Sequence, residues 1–202
     1  MDAPTQIIEL VEQAEIEEDE HAALCARMAL DLGHETGFAH VANHHSEIQC
    51  SWYEHPNEAV RLLLDLVLLG CITESINASL LRSIYVEARP GRARDLIHKI
   101  LADEVKHAQI GWAYLSLSCA QRDCRFVSEY LSEMLDLSVR DELFLPALSP
   151  ATANTYDFGV MPVAHRLPQF CATLDEVIIP GFAHFGIDTG PMIQWRNQKM
   201  VV

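Results

Sequence analysis

Positive charge is scarce in this chain. Fourteen Lys and Arg stand against 29 Asp and Glu in 202 residues, a formal charge of −15. Nucleic acid and anionic membrane surfaces are recognised through clustered Lys and Arg, so neither is an expected partner. Long apolar runs are missing too. The most apolar stretch, LLLDLVLLGCI from Leu62 to Ile72, is broken by Asp65 and followed by Glu74. It is too short and too charged to span a bilayer. The opening MDAPTQIIELVEQ has neither the basic nor the apolar region of a signal peptide. Six cysteines, at 25, 50, 71, 119, 124 and 171, include no C-x-x-C pair. That excludes zinc-ribbon, rubredoxin and disulfide-scaffold spacings, and reduced cysteines in a cytoplasmic protein are the expectation. Long runs of alternating Val, Ile and Thr are absent, which excludes an extended sheet.

What is present is helical periodicity and enough chain for one hydrophobic core. A first helix is expected from Thr5 to Leu32, ending at Gly33. A second runs from about Phe38 into the Trp52 region and closes at Pro56. Asn57 can cap a third, which continues to about Ala88 before Pro90-Gly91. A fourth covers about Ala93 to Ala120, and a fifth about 125 to 142. After an irregular stretch, a last helix spans Arg166 to about Phe185, interrupted near Pro180-Gly181. The fold class is all-α, a single domain with a helical core over about 5–120 and a C-terminal extension over about 121–202.

Two carboxylates stand where apolar side chains belong. On a helical projection Glu104 shares its face with Ile97, Ile100, Ala108, Gly111 and Leu115, with His107 at the edge one turn on. Glu74 shares its face with Val67, Cys71, Ala78, Leu81 and Tyr85. A carboxylate in an apolar stripe needs a partner or a metal. In antiparallel helices, residues at one height are equidistant from the turn. Glu74 and Glu104 are centred on residue 89, beside Pro90-Gly91, and Glu18 and Glu47 on the Gly33 break. All four carboxylates then project inward at mid-height, the di-metal carboxylate arrangement. Carboxylate with imidazole suits iron or manganese.

The segments CITESINASLL and ILADEVKHAQIGWAYL resemble stand-alone bacterial members of the ferritin-like superfamily of di-iron carboxylate proteins. CARMALDL resembles the segment that follows the first ligand in that group, which points to Glu18. The resemblance covers about residues 14 to 118. It implies a ferritin-like four-helix bundle carrying Glu, E-x-x-H, Glu, E-x-x-H, here with additional C-terminal helices. The implied ligands are Glu18, Glu47, Glu74, Glu104 and His107 with one further His, and the implied cofactor is two Fe ions or a Mn/Fe pair.

The sequence departs from that pattern in its second helix, where Cys50 stands at the expected His. His21, three residues after Glu18, is the replacement adopted here. His44 and a Cys50 thiolate are the others, and Glu17 competes with Glu18. Only 27 residues separate Glu47 from Glu74. A long crossover would have to run extended through 51–58, and otherwise the bundle is up-down-up-down. Tyr85 is the aromatic expected nearest the metals, and Trp112 is expected in the core.

The function this implies is a non-haem di-iron oxidase or oxygenase acting with O2 on a small organic substrate, fed by an external electron donor. The alternatives are a metal-free scaffold acting through interactions and an iron-oxidising storage protein. A homodimer is left open. The residues after 120 are expected to build a substrate pocket or lid. No basic clamp for a phosphate or carboxylate stands out.

Overall fold

The computed structural model describes residues 4–33, 49–139 and 155–199. All regular structure among them is helical. Helix α1, Thr5–Asp31, matches its expected span and ends beside Gly33, whose φ of +84° suits glycine. Helix α2, Glu58–Leu66, begins at Asn57, whose side chain accepts the Ala59 N–H as a cap. It runs through a π segment, Val67–Thr73, into α3, Glu74–Glu87. After a tight turn, α4 covers Arg92–Gln121.

The second expected helix, Phe38 to Trp52, lies outside the described residues except for its end. That end is not helix α: Ser51–Glu54 is one 3-10 turn. Residues 51–58 are therefore no extended crossover strap. The long-crossover topology fails on direction as well. Pairs Asp31–Arg92, Glu20–Lys99 and Glu17–His107 make α1 antiparallel to α4. Helix α3 is also antiparallel to α4, so α1 and α3 run the same way. Gly33 sits by the α3–α4 turn, while Trp52, bonded to Asp65, sits at the opposite end.

Near the middle of the hairpin, the π segment and α4 touch backbone to backbone. A Cβ on Gly70 would lie 2.6 Å from the Gly111 Cα, and one on Gly111 would lie 2.5 Å from the Gly70 carbonyl carbon. Both glycines are required by this approach, which brings Glu74 and Glu104 to one height.

The C-terminal stretch is more than a lid. A 3-10 turn, Arg125–Tyr130, leads to α5, Leu131–Val139. A further 3-10 turn, Thr155–Phe158, precedes α6, Val163–Thr173. The helix continues through a π turn, Leu174–Ile178, into α7, Ile179–His184, and does not break at Pro180. The π turn just before it relaxes the regular ladder in which the missing Pro180 N–H would count. Helix α8, Gly190–Lys199, was not expected. Trp52, Leu63, Leu115, Leu135, Phe170 and Phe182 are fully buried in one continuous cluster that joins these helices to the α2–α4 hairpin. By contrast, only Ile7 and His21 of α1 are buried among its described contacts.

Candidate metal centre

Helices α1, α3 and α4 bring Glu18, Glu74, Glu104 and His107 together, with one donor atom from each within 4.8 Å of the others. His21 adds a second imidazole. Its Nδ1 lies 3.6 Å from Glu18 Oε1 and 3.6 Å from Glu104 Oε1. His107 Nδ1 lies 3.1 Å from Glu18 Oε1 and 3.8 Å from Glu104 Oε2. Glu104 thus turns one oxygen toward each imidazole. The two rings are 6.1 Å apart, centre to centre.

The far nitrogen of each ring is held by an acid from the other helix. His107 Nε2 meets Glu17 Oε2 at 2.8 Å, and His21 Nε2 meets Asp103 Oδ2 at 3.2 Å. Lys106 anchors Asp103 at 2.7 Å. Each pair fixes a ring so that Nδ1 faces the carboxylates. Glu17, weighed as a ligand, meets the far nitrogen of His107 here.

The carboxylates and imidazoles also shift one another's protonation. Burial, and then the neighbouring Glu104, pushes Glu74 up to about 9. Burial pushes Glu104 up as well, but His107 and the Glu74 carboxyl outweigh it and hold Glu104 below its usual value. Glu104 and Glu17 raise His107 to about 9 against the cost of burial. The contact with His107 keeps Glu17 low, and Lys106, with His21, keeps Asp103 low. His21 Nδ1 and Glu104 Oε2 are buried with no hydrogen-bond partner among the described residues. Buried polar atoms without partners are costly, and both face the place where a metal would sit. Three carboxylates and two imidazoles form a donor set that suits iron or manganese.

Other expected residues fall elsewhere. Glu47 and His44 lie outside the described residues. Cys50 is no member of this cluster: it is buried beside Tyr53, with Asp65 and Glu133 nearby, and burial raises its thiol. It is a core cysteine at the far end of the helices. Tyr85 turns away to stack on His98 at 5.0 Å beneath the Arg94 guanidinium. Trp112 is core, its indole N–H donating to Ser75 Oγ and its ring packed against Gly181. The sequence reading missed the roles of Glu17 and Asp103. The signal was there: Glu17-Glu18-x-x-His21 and Asp103-Glu104-x-x-His107 share one pattern, acid-Glu-x-x-His.

No protein-family model, no curated protein and no solved structure matches this chain.

Proposed function

We propose that the chain is a di-iron carboxylate protein that shares the ferritin-like ligand pattern but not the long-crossover helix order, an oxidase or oxygenase that uses O2 on a small organic substrate with electrons from a separate donor. The observation that carries this reading is Glu104, buried and turned between two inward-facing imidazoles, with one oxygen toward each. Three carboxylates and two imidazoles offer more donors than one metal ion commonly takes from protein. Glu18, His21, Glu74, Glu104 and His107 would hold the metals, with Glu47 as the sixth ligand. Iron, or a Mn/Fe pair, would supply the one-electron and dioxygen chemistry.

The chain's own residues supply the rest. Glu17 and Asp103 orient the two imidazoles. Glu74 and His107 hold protons that leave as metal arrives. Ile100, Ala108, Ile110 and Leu115 line the same helix and exclude water from its buried face.

The test is metal content after anaerobic loading with Fe(II). The expected result is roughly two irons per chain, as in other carboxylate bundles. Glu104→Ala should lose both, and His21→Ala should keep about one. Air should then oxidise the loaded protein with a new near-ultraviolet band. A wild-type chain that takes up no metal overturns the reading and leaves a scaffold.

A further inference from the structure

Helix α1 turns an apolar edge, Ala22, Cys25, Ala29 and Leu32, toward open volume. A cavity of about 610 Å³ lies beside the carboxylate cluster, with Glu18, His21 and Glu104 in its wall. The rest of that wall is mainly aliphatic, from Leu80, Leu81 and Ile84 on α3 and Ile100 on α4. A second cavity of about 570 Å³ adjoins it and shares Cys25, Leu81, Ile100, Gly159 and Val160. Met28, Leu96 and Phe158 extend the second, and no charged side chain stands in its described lining. Glu104 lines the first cavity and Ala93 the second. Both are on α4, so the pair of cavities spans roughly 16 Å along that helix at 1.5 Å per residue. Arg166 also lines the first cavity but is already engaged: its Nε–H donates to the Met161 carbonyl at 3.2 Å, and it has a further partner.

We propose that the two cavities together bind a long, uncharged aliphatic molecule, its neutral polar head at Glu18, His21 and Glu104 and its tail toward Leu32 and Leu96. The proposal deepens the di-metal reading by naming its substrate class. It rests on that reading for the chemistry but not for the binding. Cavities of this size, apolar with a few convergent polar groups, are the usual form of a small-molecule site. Polarity here is gathered at the cluster end, so one end of the ligand is polar and the remainder is hydrocarbon. Burial of that remainder in the second cavity is favourable in proportion to its area. The head is neutral for a reason of charge. Two divalent metals are already matched by the four proposed carboxylate ligands Glu18, Glu47, Glu74 and Glu104. An added acid or ammonium would bring uncompensated charge into an apolar trough.

Hexan-1-ol, octan-1-ol and decan-1-ol would be titrated calorimetrically into the full chain, metal-free and loaded anaerobically with Fe(II). Affinity should rise about fourfold per methylene through decan-1-ol in both forms. Leu81→Trp and Val160→Trp each put a ring into the wall that the cavities share. Each should weaken decan-1-ol about tenfold or more, the worth of its last methylenes, and leave hexan-1-ol, which fits the first cavity alone, nearly unchanged. Octanoate should bind more weakly than octan-1-ol in both forms, and octylammonium more weakly in the loaded form.

An affinity that stops rising at hexan-1-ol overturns the proposal, because the cavities then do not act as one. A rise that both variants leave intact also overturns it, since the alcohols then bind elsewhere. So does tighter binding of octanoate in either form, or of octylammonium in the loaded form. If the chain takes no iron yet shows the length dependence and its loss in the variants, the di-metal reading falls and the binding site stands. Val160 is exposed, so Val160→Trp leaves the core in place and decides should Leu81→Trp fail to fold.

Discussion

At the scale of single residues, the centre is built from two copies of one short pattern that support each other crosswise. Glu17 steadies the imidazole of α4, and Asp103 steadies that of α1. Glu17→Gln and Asp103→Asn keep the shapes but remove the charges. Each should lower metal affinity about 10- to 100-fold, as lost supporting hydrogen bonds do, with little change in helicity. Competition with a chelator would measure it, and an unchanged affinity would show that the two acids only solubilise the surface.

Protons make a second prediction. Glu74 and His107 each have a folded pKa of about 9, above the unfolded values of 4.5 and 6.5. The folded state binds more protons than the unfolded one, so stability falls as pH rises toward 9. The lowered carboxylates Glu17, Asp103 and Glu104 act in the opposite sense, but below pH 4.5 or so. Metal-free protein should therefore melt at lower temperature at pH 9 than at pH 6.5. Iron loading should flatten that slope, since both groups have already given up their protons. A flat metal-free profile would show that these groups are not coupled as described.

The E-x-x-H of α4 was legible because a three-residue step puts both side chains on one helical face. The crosswise support was not, because it joins residues 82 and 90 positions apart and depends on how two helices cross. Cys50 misled for the opposite reason. Its spacing matches a ligand position on a helix expected to run into the Trp52 region, but Cys50 is extended and the chain after it makes a 3-10 turn.

At the scale of elements, helix ends were read well where Gly, Pro or Asn punctuates the chain, as at Gly33, Asn57 and Pro90-Gly91. The π segments were not legible, since nothing in residue periodicity marks an inserted position in a continuous helix. The one beside Glu74 is joined to the Gly70–Gly111 contact. Gly111→Ala forces a Cβ into backbone that cannot turn aside. It should destabilise by about 1–3 kcal/mol, the usual range for overpacking, measured by urea unfolding. It should also weaken metal binding, because the same displacement separates Glu74 from Glu104. Loss of stability without loss of metal would mean that the two carboxylates do not depend on this crossing.

At the scale of the molecule, the C-terminal helices were expected as an addition to a finished bundle. They instead close the largest core, with Phe170, Leu174, Ile178 and Phe182 fully buried against the hairpin. Phe182→Ala should cost about 3–5 kcal/mol, the range for deleting a buried aromatic ring, by the same urea measurement. A detachable lid would show almost none of that loss. The tail also lends Arg166 and Gly159 to the cavity beside the site. Neither could be placed from the sequence, because both come from more than 50 residues beyond His107 of the E-x-x-H motif.

The thin apolar footing of α1 has a consequence of another kind. Two buried residues and a set of acid–imidazole and ion pairs attach a 27-residue helix to α4 among the described residues. Exposed ion pairs contribute little, so on the di-metal reading proposed above much of this described attachment would reside in the ligands themselves. A chain without metal then offers α1 to a protease long before the tightly packed hairpin and tail. Cleavage of the empty form and survival of the loaded form would make the lifetime of the protein a record of the metal supply.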